Sequence, residues 1–182
     1  MRKLGCLLGL ILVFSLTAAA QDAPKAEIFA GYSYLRVNPG DPVPGINTNG
    51  FSASVSFNPK PAVGIVADFG VYHASDIFDS GVSGNVTSYL FGPRIVARGR
   101  RAEPFIQVLF GGARISAEGE SESGFAMALG GGIDVKATDH VAIRLIQAEY
   151  ALTRFDDAIT GETASQHNAR ISFGIVFRLG QQ

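Results

Sequence analysis

Three histidines, a serine and a run of carboxylates are the residues whose types and spacing could carry chemistry. His73 precedes Ser75 by two positions, with Asp76 and Asp79 close behind. A histidine beside a hydroxyl, oriented by a carboxylate, is the arrangement that activates an oxygen nucleophile. The same residues also fit the end of a strand and the opening of a loop. His140 follows Asp139 and His167 follows Gln166, each at a segment end where a solvated side chain is expected. Glu118, Glu120 and Glu122 alternate around Gly119; such carboxylates hold a divalent cation loosely or simply keep a loop soluble. Gly130-Gly131-Gly132 lacks the strand–turn–helix setting of a phosphate loop. The expectation is therefore no catalytic residue, no metal site and no cofactor.

These residues sit in a chain of 182, one domain's worth of sequence. Hydrophobic residues make up 47% and charged residues 17%, below the ~25% charge of a soluble domain. Glycine is abundant, at 22 residues. The net charge of −1 supplies no basic field, which excludes a nucleic-acid partner. Arg2 and Lys3, the apolar run Leu4–Leu16 and the small residues Ala18-Ala19-Ala20 read as a signal peptide over 1–20. That run is too short to span a bilayer, which takes ~20 residues. The only cysteine, Cys6, lies within it, too early to be an acylated first residue. Residues 21–182 form one domain with no thiol, hence no disulfide and no cysteine chemistry.

No segment after residue 20 has a convincing helical period, whereas two-residue alternation is pervasive. It predicts eight strands, at 26–37, 50–57, 62–73, 84–97, 103–117, 124–135, 141–155 and 167–179. Short connections at 58–61, 98–102 and 136–140 alternate with longer ones at 38–49, 74–83, 118–123 and 156–166. A lipid-embedded barrel sorts its loops by end in this way, with both termini on the short-turn side. The expected fold is all-β, an eight-stranded antiparallel up-and-down transmembrane barrel.

Strand parity assigns the faces. Phe51, Ala53, Val55 and Phe57 alternate with Ser52, Ser54 and Ser56. Ile171, Phe173, Ile175, Phe177 and Leu179 alternate with Arg170, Ser172, Gly174 and Arg178. Large residues form one set and small or polar residues the other. This suits a narrow barrel with its apolar set in lipid, because eight strands enclose little more than their own side chains. Asp68, Arg94, Glu149 and Arg170 share the inward face. A buried charge is costly unless paired, so Asp68 is expected to pair with Arg94 and Glu149 with Arg170, neutralising and plugging the lumen. Arg114 and Arg144 share parity with lipid-facing neighbours, and the sequence leaves their facing open: Arg144, near the short-turn end, has the reach to snorkel to the headgroups, and a bulge after Gly111-Gly112 is one way to turn Arg114 inward. With no tryptophan, an aromatic girdle would draw on Tyr32, Tyr34, Tyr72, Tyr89, Tyr150 and phenylalanines.

In the last strand, Ser172, Gly174, Phe177 and Leu179 follow the order polar, glycine, aromatic, hydrophobic. This resembles the terminal signal by which outer-membrane barrels are read by their assembly machinery. With Glu27–Tyr34 and Ala148-Glu149-Tyr150, the chain over 21–182 resembles the small eight-stranded outer-membrane barrels, OmpA-like in their membrane domain. No peptidoglycan-binding domain is expected after the barrel. The resemblance implies residence in the outer membrane, contact with its lipid and lipopolysaccharide, and a monomer. The acidic loop at Glu118–Glu122 would then bridge to lipopolysaccharide through Ca²⁺ or Mg²⁺. The preferred function is a structural or surface-interaction role through loops 38–49, 74–83 and 156–166. The alternative is a transport barrel for a small or apolar solute, which the polar pairs argue against. Lipid A deacylases of this class share the His-x-Ser spacing of His73 and Ser75 but place it on a later strand facing lipid, and their flanking residues are missing here, so a lipid A-modifying enzyme ranks last.

Overall fold

The computed structural model describes residues 23–38, 45–74, 83–117, 120–156 and 163–181. The strands are β1 (Pro24–Val37), β2 (Ile46–Lys60), β3 (Val63–Ala74), β4 (Gly84–Val96), β5 (Ala102–Ala117), β6 (Glu120–Lys136), β7 (Val141–Asp156) and β8 (Thr163–Gln181). Each pairs antiparallel with its sequence neighbours, and β8 closes on β1 to complete an up-and-down barrel. Closure leaves no strand edge unpaired, so every backbone ladder is satisfied within the wall.

The connections differ from the sequence reading most at the long-loop end. The stretch 118–123 is not a long loop: only positions 118–119 separate β5 from β6, and pairing continues through Ser116↔Ser121 and Ala117↔Glu120. Its Glu-Ser-Glu-Ser alternation extends the hairpin instead of interrupting it. β2 likewise starts at Ile46 and β8 at Thr163, so the far-end connections shrink to 38–45, 75–83, 118–119 and 157–162. The other end carries turns 61–62, 97–101 and 137–140 beside the strand termini Pro24 and Gln181. The stretch 1–20, Ser75, Asp76, Asp79, Glu118 and at least half of each predicted loop 38–49, 74–83 and 156–166 lie outside the described residues.

The alternation of faces is regular. Phe51, Val55, Phe57, Ile65, Phe69, Tyr89, Phe91, Phe173 and Ile175 stand on the outside, exposed by 43% or more. Ser52, Ser54, Ser56, Asp68, Arg94 and Arg170 are buried inside. Glycine makes room at the inner wall: a Cβ on Gly132 would lie 2.8 Å from the Phe105 ring, and one on Gly70 would lie 2.6 Å from Tyr72 Oη.

The structure settles the two facings that parity left open and corrects a third position. Arg144 is 2% exposed and points into the lumen instead of snorkelling outward. A bulge in β7 explains this: Asp134 pairs with Arg144 and Ile133 with Ile146, so Leu145 is an extra residue. Leu145 and Ile146 both face outward, and parity inverts below them. The bulge thus lies in β7 and not after Gly111-Gly112, where β4 and β5 stay in register; Arg114 remains exposed and donates to Ser121 Oγ at 2.6 Å. Tyr72 is no girdle residue. It follows outward Val71, is 1% exposed, and lies in the lumen.

Candidate functional site

The lumen collects the ionisable side chains that strand parity sends inward. Near mid-barrel, Arg170 on β8 faces two carboxylates. Its Nη1 donates to Asp68 Oδ1 at 2.7 Å and its Nε to Glu149 Oε2 at 2.7 Å, with Tyr72 Oη accepting a third bond at 3.2 Å. Glu149 also accepts from Gln107 and Gln147, at 2.9 and 2.8 Å. Glu149 and Arg170 sit directly opposite each other on β7 and β8.

The expected Asp68–Arg94 pair is not formed. The β3–β4 register sets Asp68 against Leu90 and Arg94 against Gly64. Asp68 and Arg94 are therefore separated by four positions along the wall, ~13 Å at ~3.3 Å per residue. Asp68 reaches across the lumen to Arg170 instead. Arg94 donates to Asp134 Oδ2 at 2.9 Å and to Ser56 Oγ at 3.3 Å, and lies 3.6 Å from Glu27 Oε2.

The two halves join through Arg144. It grips Asp134 with Nε and Nη2, at 2.8 and 3.0 Å, and donates to Gln147 Oε1 at 2.6 Å. Its guanidinium stacks between Phe29 and Phe105, 4.3 and 4.5 Å from the ring centres, while Arg94 lies 3.9 Å from Phe105. Such contacts suit guanidinium, which is weakly hydrated and planar. Below Arg94, Arg98 bonds Glu27 at 2.9 Å and Glu103 at 3.0 Å. Glu103 also meets Lys136 at 3.0 Å and Arg178 at 3.3 Å. Burial works against the charged form of Arg98 in this turn, but the Glu27 and Glu103 carboxylates outweigh it and hold its pKa above the usual value. A continuous chain of ion pairs and amide bridges thus runs from Asp68 to the end of the barrel that carries the termini.

Glu27, Arg98, Glu103, Asp134, Arg144 and Arg178 are the members that were not singled out from sequence as lumen charges. Parity was the available signal for Glu27, which precedes outward Ile28, and for Asp134 and Arg178, which alternate with apolar residues. Arg144 was hidden by the bulge. Arg98 lies in a turn, where parity says nothing.

Beyond the Arg170 cluster the lumen changes character. Leu35, Val86, Leu90, Ala113, Ile115, Ala126 and Ala128 line its far half, with Thr153, Gln166 and Asn168 among the polar contributors.

The remaining candidates are dispersed. Exposed His73 bonds Asn85 Oδ1 at 2.9 Å. His140 lies in the 137–140 turn, and His167 meets Tyr150 on the outer face. No group of three metal-ligating side chains comes together among the described residues. In β8, Ser172 is buried against Ser33, Gly174 faces Gly31, and Phe177 and Leu179 are exposed on the outside, at 47% and 48%.

A family profile described as Outer membrane protein beta-barrel domain matches residues 6–177. No curated protein matches the sequence. Among solved structures, Neisserial surface protein A (NspA) is similar with a TM-score of 0.65 at 10% identity, over 87% of this chain and 100% of that one. Ail, the attachment invasion locus protein of Yersinia pestis, has a TM-score of 0.57 at 19% identity, over 86% of this chain and 99% of that one. OprG from Pseudomonas aeruginosa has a TM-score of 0.52 at 9% identity, over 87% and 97%. A further structure of Ail is a complex with the heparin analogue sucrose octasulfate. At these identities the likeness is one of fold.

Proposed function

The chain belongs to the family of outer membrane protein beta-barrel domains, and on that premise we propose that it is a closed, non-enzymatic barrel of the outer membrane acting through its external end. The carrying observation is the ion-pair chain from Asp68 to Glu103. Buried charges that are all partnered are costly to separate, which supports a sealed lumen over the alternative of a transport barrel. Residues 1–20 serve as the export leader, and Ser172, Gly174, Phe177 and Leu179 as the assembly signal. The protein is monomeric, with lipid and lipopolysaccharide around it. His73 stands exposed at the end of β3 and bonds Asn85 across the hairpin, which supports a strand-end role over lipid A chemistry.

The external connections define the class of partner. Positions 38–45, 75–83, 118–119 and 157–162 hold Asp41, Asp76, Asp79, Glu118, Asp157 and Glu162 and contain no lysine or arginine. An acidic tip favours a basic or cation-bridged surface, and repels a sulfated sugar of the kind bound to Ail in its complex. The test uses refolded protein in neutral phosphatidylcholine vesicles, offered beads coated with polylysine or with heparin. Binding to polylysine that weakens with salt, and is lost when Asp41, Asp76, Asp79 and Asp157 become asparagine, is the expected result. Equal capture by heparin, or no effect of neutralisation, would overturn the surface-interaction reading.

A further inference from the structure

The end of the barrel that carries the strand termini is rimmed with cations that the ion-pair chain does not use. Lys25, Lys60, Arg100 and Arg101 are exposed there, and none forms an ion pair among the described residues. Asp139 is the one exposed carboxylate of this end among the described residues. The interior offers no neutralisation either. Glu27, Glu103 and Asp134 are already held by five cations, Arg94, Arg98, Lys136, Arg144 and Arg178. The lower lumen thus adds positive charge to the rim instead of cancelling it.

The four cations stand where the outward apolar band ends. Lys60 lies between Phe57 and Val63, both exposed on the outer wall. Lys25 falls opposite Gly180 in the β1–β8 register, beside exposed Leu179. A Cβ on Gly180 would lie 3.4 Å from Cβ and Cδ of Lys25, so the lysine stem runs along the strand end. Arg100 and Arg101 occupy the 97–101 turn, between exposed Ile95 and Ile106. That turn is pinned: Ala97 N donates to Pro104 O at 2.9 Å and Lys136 N to Arg101 O at 2.8 Å. Long cationic side chains at the edge of an apolar band reach the headgroup layer while their stems stay in hydrocarbon. The far rim differs. Arg36 and Arg114 there donate to Asn47 and Ser121, at 2.8 and 2.6 Å, and the connections beyond them hold no lysine or arginine.

We infer that this rim is a binding surface for the headgroups of anionic phospholipids. A guanidinium gives a phosphate two parallel hydrogen bonds, and an ammonium supplies a point charge. An anionic leaflet attracts basic segments that lie within a Debye length of it. The exposed apolar residues beside all four cations favour lipid over a soluble polyanion, because a membrane covers both the apolar band and its charged edge. Headgroups held at the rim fix the depth of this end of the barrel in the membrane. The inference rests on the barrel spanning a membrane. It shares no residue with the polylysine test of the external end, so either can fail without the other.

Electron spin resonance of chain-labelled lipids tests this on the full barrel in phosphatidylcholine membranes. The probes are spin-labelled phosphatidylglycerol and spin-labelled phosphatidylcholine, and the readout is the fraction of each immobilised on the protein. Phosphatidylglycerol should associate about threefold more strongly at low salt and nearly equally at about 1 M NaCl, where screening is short-ranged. Lys25→Gln, Lys60→Gln, Arg100→Gln and Arg101→Gln together should remove most of that preference. Arg36→Gln, Arg114→Gln and Arg154→Gln together, on the far rim, should leave most of it. Should the fourfold variant lose its gel shift between boiled and unboiled samples, Lys60→Gln with Arg100→Gln decides in its place. Equal association of the two lipids with the intact protein would overturn the proposal. So would a preference that survives neutralisation of the terminal rim, or one lost only with the far-rim variant. Equal lipid association joined to capture by polyglutamate beads, abolished in the fourfold variant, would overturn it in favour of an acidic macromolecule.

Discussion

Arg170 holds two carboxylates from opposite sides, Asp68 across the lumen and Glu149 on the adjoining strand. All three are at least 96% buried by surface area. Side chains in direct contact couple by ~0.5–3 kcal/mol in double-mutant cycles, whereas distant pairs with no shared partner add within ~0.5 kcal/mol. Asp68→Asn with Arg170→Gln should therefore show coupling of about 1–3 kcal/mol in urea unfolding from lipid vesicles. Asp68→Asn with Arg94→Gln should be additive. Coupling in the second pair and additivity in the first would reverse the assignment. The Glu149–Arg170 contact was legible in the sequence because the two residues face each other in one hairpin. Asp68 was not, because its partner is set by the register of β3 on β4 and by the width of the closed barrel. Neither quantity is carried by strand parity. Parity alone carries the inward facing of Tyr72 and Glu27, a signal that the girdle assignment of Tyr72 overlooked.

Among the elements, β7 is the strand whose irregularity reaches the charged lumen, whereas the other register shift, between Phe57 and Lys60 of β2, lies at the strand end. The extra Leu145 places two consecutive residues in lipid and brings Arg144, Gln147 and Glu149 to the same inner face. Arg144 is thereby seated between Asp134 and Gln147, where it links the two halves of the ion-pair chain. Deleting Leu145 restores uninterrupted alternation and leaves these three residues inward. The deletion variant should assemble and keep its gel shift between boiled and unboiled samples, with a loss of about 1–2 kcal/mol, the scale of burying one leucine. Loss of the shift would mean that the bulge is needed to close the barrel and does more than set the facing of Arg144. The strands themselves were legible because lipid demands strict apolar alternation. Their ends were less so: Ser121–Ser123 and Ser165–Gln166 carry polar residues on both faces, and beyond the membrane a paired strand needs no apolar side.

The whole molecule divides along its axis. The half beside the termini is filled by partnered charges, the far half is lined by apolar side chains with Ser88, Thr153, Gln166 and Asn168 among them, and the connections at that far end carry only acidic charges. Eight strands enclose too little space for an aqueous channel, and wide pores need ~16. The fold class was legible because composition, alternation and loop placement all pointed to a barrel in lipid. The axial division was not, since it depends on which inward residues meet across the lumen. Ionic conductance of the refolded barrel in a planar bilayer tests the central claim of a sealed lumen. The intact protein should hold the baseline of the bare bilayer, while Arg94→Ala combined with Arg144→Ala, which removes the two guanidiniums that meet at Asp134 and Phe105, should open discrete steps. Steady conductance steps from the intact protein would contradict the account and return the lumen to the role of a transport path.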